Sequence, residues 1–223
     1  MEIAKVFRSK PYKTGIALSG GGIKGLCHAG VLKALEEVGI KPDIISGVSA
    51  GAIVGALYAD GYTPDEIATL FEDISFRQIT KFRIPDGGLF RIDAFEEFML
   101  KNLRAKTFEA LKIPLRIVAT NLDKGTSAVF DKGNLINPII ASCSVPVLFT
   151  PKKIDGVNYV DGGVLKNFPV STIHNDCDKV IGINASPLVA DDYKLSLMNV
   201  ASRTYHFMFK ANILHDIELC DLL

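Results

Sequence analysis

Residues 43–61 read DIISGVSAGAIVGALYADG, and this stretch decides the fold. A short apolar run ends at Gly47-Val48-Ser49-Ala50-Gly51, and a small-residue helix pattern follows at once and stops at Gly61. An apolar strand running into a helix through G-x-S-x-G is the local grammar of a nucleophile elbow, in which the turn is so tight that only glycine fits two positions before and two positions after the serine. Gly51, Ala52, Gly55, Ala56 and Ala59 would also let this helix sit close to a sheet, so the packing and catalytic readings are compatible.

Upstream, TGIALS (14–19) is a second apolar run, ending at Gly20-Gly21-Gly22, and LCHAGVLKALEEV (26–38) follows with one apolar helical face. Strand, helix, strand, helix within about 45 residues implies a parallel sheet covered by helices, a three-layer α/β sandwich with a mostly parallel central sheet. Downstream, Thr63-Pro64 starts a helix, and Asp93 is read as the cap of another. PLRIVATNLD (114–123), TSAVFD (126–131), VNYV (157–160) and KVIGINAS (179–186) read as strands. NPIIASCSVP (137–146) reads as a helix ended by Pro146, and residues 193–219 as helix. LCDLL (219–223) could begin a further strand. No repeat or linker is visible, so one domain is expected over 1–223, with its core at about 15–186.

Composition narrows the function class. Lys plus Arg and Asp plus Glu both number 25, so the formal charge is zero and no basic excess points to nucleic acid. The four cysteines lie far apart without a C-x-x-C pair, which argues against a zinc site or disulfide framework and for a reducing compartment. No metal-ligand cluster is visible, so no metal or other cofactor is expected, and activity should not need calcium. The opening MEIAKVFRSKPYKTG does not read as a secretory signal, and no apolar run is long enough to span a membrane. The expectation is a cytoplasmic protein able to touch membranes peripherally. The oligomeric state is not readable.

Gly20-Gly21-Gly22-Ile23-Lys24-Gly25 fits G-x-G-x-x-G between a strand and a helix. A dinucleotide site would want an acidic residue at the end of the second strand, but Asp43 stands at its start and Ser49 follows its end. The other reading is an oxyanion hole, in which bare glycine N–H groups meet a substrate carbonyl oxygen. Neighbouring parallel strands end on one side, so this loop and Ser49 would face one crevice. Lys24 either stabilises charge there or is a solvated first-turn lysine.

A serine nucleophile needs a base. His206 and His215 lie late in the chain but in helical sequence, His28 opens the first helix, and His174 completes the set. Among carboxylates, Asp161 ends a short strand and precedes Gly162-Gly163, while Asp86-Gly87-Gly88 repeats the tripeptide inside a Pro-Asp-Gly-Gly turn. The segment 76–90, FRQITKFRIPDGGLF, mixes aromatic and basic residues and reads either as a lipid-facing lid or as a packed surface loop.

In order and spacing, GGGIKG (20–25), GVSAG (47–51) and Asp161-Gly162-Gly163 resemble the three signatures of patatin-like phospholipases. Asn167 and Pro169 resemble that family's continuation, ATNLD (119–123) its central strand, and the similarity runs from about Gly15 to Asn184. The resemblance implies a patatin-like fold and a lipid acyl hydrolase of the phospholipase A, lysophospholipase or esterase type. It implies a Ser49–Asp161 dyad without histidine, an oxyanion hole at Gly20, Gly21 and Gly22, and motif glycines Gly25, Gly47, Gly51, Gly162 and Gly163. The partner would be a lipid or ester substrate. The rival expectations are a catalytically silent lipid-binding relative and a nucleotide-binding α/β protein.

Overall fold

A computed structural model describes residues 9–72, 81–82, 90–186 and 195–223. Its strands are β1 (Tyr12–Leu18), β2 (Ile44–Val48), β3 (Lys81–Phe82), β4 (Phe90–Arg91), β5 (Leu115–Asn121), β6 (Thr126–Phe130), β7 (Lys152–Ile154), β8 (Val157–Asp161) and β9 (Cys177–Ile183). Its α-helices are α1 (Cys27–Glu37), α2 (Ala50–Asp60), α3 (Pro64–Glu72), α4 (Asp93–Asn102), α5 (Ile136–Ser142) and α6 (Leu197–Glu218).

The main sheet runs β7-β8-β5-β2-β1-β9, with β6 also paired to β5. Strands β9, β1, β2 and β5 are parallel, whereas β6 and β8 run antiparallel to β5 and β7 antiparallel to β8. Successive strand residues point to opposite faces, and the core divides accordingly. Ile16, Leu18 and Ile45 pack with apolar residues of α1 to α5, while Ala17, Ile44 and Val180 pack with Phe168, Val170 and Ile213 of α6. These are the three layers expected from the strand–helix alternation.

Every residue of α2 is buried, so this helix has no solvent face and lies directly on the sheet. Its glycines allow that approach: a methyl on Gly55 would stand 3.1 Å from Ile45 Cγ2. Gly61 ends the helix at φ +98°, a left-handed conformation that favours glycine. Thr63 and Glu66 form a reciprocal capping box at α3, with Glu66 N donating to Thr63 Oγ1 at 3.2 Å and Thr63 N to Glu66 Oε2 at 2.8 Å.

Three local expectations change. Ile92, not Asp93, is the N-cap of α4, because its carbonyl accepts from Phe95 N and Glu96 N at 3.0 Å each. The strand β7 was not foreseen, although Asp155-Gly156 is a two-residue hairpin signal and both residues take positive φ, +48° and +85°. At the chain's end, Leu222 forms a single parallel bridge to Ile181 rather than a strand. The segment 76–90 lies mostly outside the described residues, as does Asp86. Among the described residues, no helix is long and apolar enough to cross a membrane.

Candidate active site

The site forms where two strand ends meet. On β5, Val118 pairs with Val48 of β2 and the next residue, Ala119, pairs with Asp161 of β8. The far edge of β5 at these positions is held by β6, so β2 and β8 share one edge and run towards each other along it. Ser49 follows the last residue of β2 and Asp161 is the last of β8, and register alone brings them together.

Ser49 takes φ +51° and ψ −120°, a rare conformation for a residue with a side chain. The surroundings enforce it. A methyl on Gly47 would lie 2.5 Å from the Gly51 carbonyl oxygen, and one on Gly51 would collide with the Leu18 carbonyl and stand 2.6 Å from that of Ser19. One on Gly25 would strike Ala50 Cβ. Ser49 N donates to Ser142 Oγ at 2.8 Å, and the Ser142 hydroxyl donates to the Val118 carbonyl at 2.6 Å. Ser142 was not foreseen. Its signal was a hydroxyl directly after the apolar run Pro138–Ala141.

Asp161 is buried; its Oδ1 accepts from Gly163 N at 2.7 Å, and its backbone N donates to the Ser144 carbonyl at 2.9 Å. Burial pushes its carboxyl up to about 7, against the opposing pull of the Ser49 hydroxyl beside it and the Gly163 N–H. The Ser49 contact falls short of full hydrogen-bond geometry, so Oδ2 has no partner among the described residues. Candidate acid–base contacts are often long before substrate binds. Gly162 is required here because a methyl would strike the Val118 carbonyl. Cys143, also buried, lies beside Ser49, and burial followed by the Asp161 charge pushes its thiol well up, against the pull of the Ser49 hydroxyl.

The glycine loop faces the same crevice but differs from expectation in one respect. Gly20 N donates to the Asn167 carbonyl at 3.0 Å, so its N–H is not free to bind an oxyanion. Its own carbonyl accepts from Ser19 Oγ and Ser186 Oγ, each at 2.9 Å. Gly21 N–H and Gly22 N–H have no partner among the described residues, and Gly22 takes φ +55°. Of the three glycines, Gly20 therefore has its N–H bound into the fold, while Gly21 and Gly22 keep theirs unspent among the described residues. Lys24 is exposed.

The histidines lie in other settings. His28 is buried, donates from Nε2 to the Ser19 carbonyl at 2.8 Å, and is driven down to about 4 mainly by burial, so it holds the glycine loop as a neutral ring. His174 Nδ1 donates to the Leu219 carbonyl at 3.0 Å, and His206 and His215 are exposed on α6. Asp43 accepts from Thr14 N at 2.8 Å and Lys13 N at 3.0 Å near the start of β1, at the opposite end of the strands from the glycine loop. A dinucleotide ribose at the loop would not meet it. No group of three or more His, Cys, Asp or Glu suited to a metal occurs among the described residues.

Two other polar features flank Ser49 and Asp161. Asn167 is fully buried, and neither end of its amide has a partner among the described residues, a state that costs about 1–3 kcal/mol per unsatisfied group. Asn212 of α6 braces this loop, donating from Nδ2 to the Gly163 carbonyl at 2.9 Å and accepting from Asn167 N at 3.0 Å.

The family model described as patatin-like phospholipase matches residues 16–173, from β1 through the whole site. The chain belongs to the patatin-like phospholipase family. Among curated relatives, YqhO of Bacillus subtilis is 32% identical over 215 residues, covering 81% of this chain and 74% of that protein. The lysophospholipase NTE1 of Kluyveromyces lactis is 31% identical over 181 residues, covering 75% of this chain but 12% of the longer protein. Among solved structures, VipD from Legionella pneumophila superposes with a TM-score of 0.59 at 18% identity, over 88% of this chain and 53% of that one. This is a likeness of fold. The patatin-like α/β architecture therefore holds for this chain as the resemblance implied.

Proposed function

We propose that this patatin-like chain hydrolyses fatty acyl esters of lipids, with Ser49 as nucleophile and Asp161 as general base. The observation that carries this reading is the meeting of the β2 and β8 ends, which sets a serine at φ +51° beside a buried carboxyl raised to about 7. A carboxylate with an ordinary pKa is a weak base at neutral pH, and one raised near the working pH is well matched to proton transfer.

In the first step Asp161 takes the Ser49 proton as Oγ attacks the ester carbonyl carbon. The carbonyl π pair moves to oxygen, which the Gly21 and Gly22 N–H groups receive. The intermediate collapses, the C–O bond to the alcohol breaks, and the proton on Asp161 passes to the leaving oxygen. Water then repeats the sequence on the acyl-enzyme, releasing the fatty acid and restoring Ser49. The site residues themselves supply the nucleophile, base and oxyanion donors.

Lipid is favoured over a small polar ester by apolar side chains left in water near the site. Ile23, within the glycine loop, is 92% exposed, and Leu165, four residues beyond Asp161, is 39% exposed. Lysophospholipids are the first class to test, given the named activity of the Kluyveromyces relative. Access to such substrates would come through peripheral contact of a cytoplasmic protein with membrane or micelle.

Labelling with a fluorophosphonate, followed by intact mass, tests the assignment. One adduct is expected on wild type and Asp86→Asn, none on Ser49→Ala, and little on Asp161→Asn. Labelling that survives in Asp161→Asn and fails in Asp86→Asn would move the base to Asp86. No adduct on folded wild type would favour a silent lipid-binding relative.

A further inference from the structure

One buried side chain beside the dyad has no structural explanation in the folded chain. The backbone of Asn167 is fully engaged, its carbonyl by Gly20 N and its N–H by Asn212 Oδ1. Its side-chain amide is buried, with neither Nδ2 nor Oδ1 partnered among the described residues. Proteins ordinarily satisfy such groups, and an exception calls for a reason.

Space has been cleared for this amide at two motif glycines. A methyl on Gly20 would collide with Asn167 Oδ1, and one on Gly163 would lie 2.8 Å from it. The same methyl on Gly20 would stand 3.4 Å from Ser49 Cβ, so the amide and the Ser49 side chain face the same side of Gly20. Gly20 is thus shaped around this amide next to the nucleophile, while Gly163 leaves room both for it and, more closely, for the Phe209 ring, 2.6 Å from the same methyl. With no partner fixing either end, the amide is free to turn Nδ2 towards Ser49.

We propose that Asn167 is a catalytic hydrogen-bond donor, its Nδ2 amide completing the oxyanion site together with the Gly21 and Gly22 N–H groups. The inference rests on Ser49 being the nucleophile. Gly20 N–H is consumed by the fold, which leaves the loop two backbone donors, and an anionic oxygen accepts a third readily. In the free protein the amide has no hydrogen-bond partner among the described residues. Its hydrogen bond is therefore gained on the way to the tetrahedral intermediate, the condition under which an interaction speeds a reaction rather than merely tightening binding. Asn167 gives up no proton. Its N–H donates to the oxygen while negative charge stands on it and lets go when the carbonyl is restored.

The test compares fluorophosphonate labelling rates and ester turnover of wild type, Asn167→Ala and Asn167→Asp at pH 8, with thermal unfolding of each. The labelled phosphonyl oxygen occupies the position of the oxyanion. Asn167→Asp keeps the shape and loses both N–H donors. The expected result is a fall of about 10²–10³-fold in labelling rate and kcat in both variants, with KM within a few-fold. The Tm of Asn167→Ala should not fall in proportion, since no protein hydrogen bond is lost. Labelling of either variant at the wild-type rate would overturn the proposal. So would slow labelling that matches wild type once corrected for the folded fraction, since that is what a purely structural role would give. Wild type that labels at Ser49 while Asn167→Ala labels equally fast sinks this inference alone. Wild type that fails to label sinks the Ser49 reading and this inference with it.

Discussion

The elbow at Ser49 and the loop from Asp161 to Asn167 sit against each other and are built on opposite principles. The elbow is closed: Ser49 N is taken by Ser142, Ser49 O accepts from Ala52 N and Ile53 N, and the flanking glycines leave no room for a methyl. The loop is open in the chemical sense. It carries three buried polar atoms without partners among the described residues, Asp161 Oδ2 and both ends of the Asn167 amide. A nucleophile must be held in one strained geometry, which satisfied hydrogen bonds and tight packing achieve. Groups that exchange protons or receive charge must keep bonding capacity unspent until the substrate arrives.

The sharpest way to break this contrast is to neutralise the open side. Asp161→Asn should lower kcat by about 10³-fold or more, on the scale of losing a base from a hydrolase site. The same variant should be more stable than wild type at pH 8. The folded-state pKa of Asp161 is raised to about 7, above its unfolded value, so the folded form holds the proton more tightly. Wild-type stability from this group is therefore full at low pH and declines as pH rises from about 4 to about 7. The stability gap between variant and wild type should open across that window, as denaturant titrations at pH 5 and pH 8 would show. Activity carries the opposite sign. The base must be ionised, so wild-type kcat should rise with pH through an apparent pKa near 7 and then level off. A flat profile from pH 5 to 9 would remove Asp161 from the base role.

The closed side should break through packing instead. Gly51→Ala drives a methyl into the Leu18 and Ser19 carbonyls and should cost about 3 kcal/mol or prevent folding. Ser142→Ala strands the buried Ser49 N–H and should cost about 1–3 kcal/mol, with kcat reduced about tenfold as the elbow loosens. If kcat falls while denaturant stability is unchanged, Ser142 acts on geometry alone. As the smallest effect and the control, Gly30→Ala in α1 meets nothing within 4 Å and should stabilise by about 0.5–1 kcal/mol. Equal effects at Gly51 and Gly30 would refute the packing account of the elbow.

Much of this was legible in the residues. TGIALS and DIIS followed by glycine turns and small-residue helices reveal two parallel strands ending on one side, because strand, turn and helix signals act over a few neighbouring residues. Asp155-Gly156 is an equally local hairpin signal, since both residues take positive φ between β7 and β8. Gly20 illustrates the opposite case. Three consecutive glycines look alike as donors, and what distinguishes Gly20 is a carbonyl 147 residues away at Asn167.

The sequence by itself determined the elbow and the two glycine-bearing turns, matters of local backbone freedom, and it left two Asp-Gly-Gly tripeptides, at Asp86 and Asp161, between which only the family resemblance chose. Tertiary structure alone decided that β2 and β8 run towards each other along β5, which joins Ser49 to Asp161. It also decided how deeply that carboxyl is buried, and which donors and acceptors remain unspent. Strand register, desolvation and hydrogen-bond partnership depend on residues distant in the chain, and those distances close only when the sheet has formed.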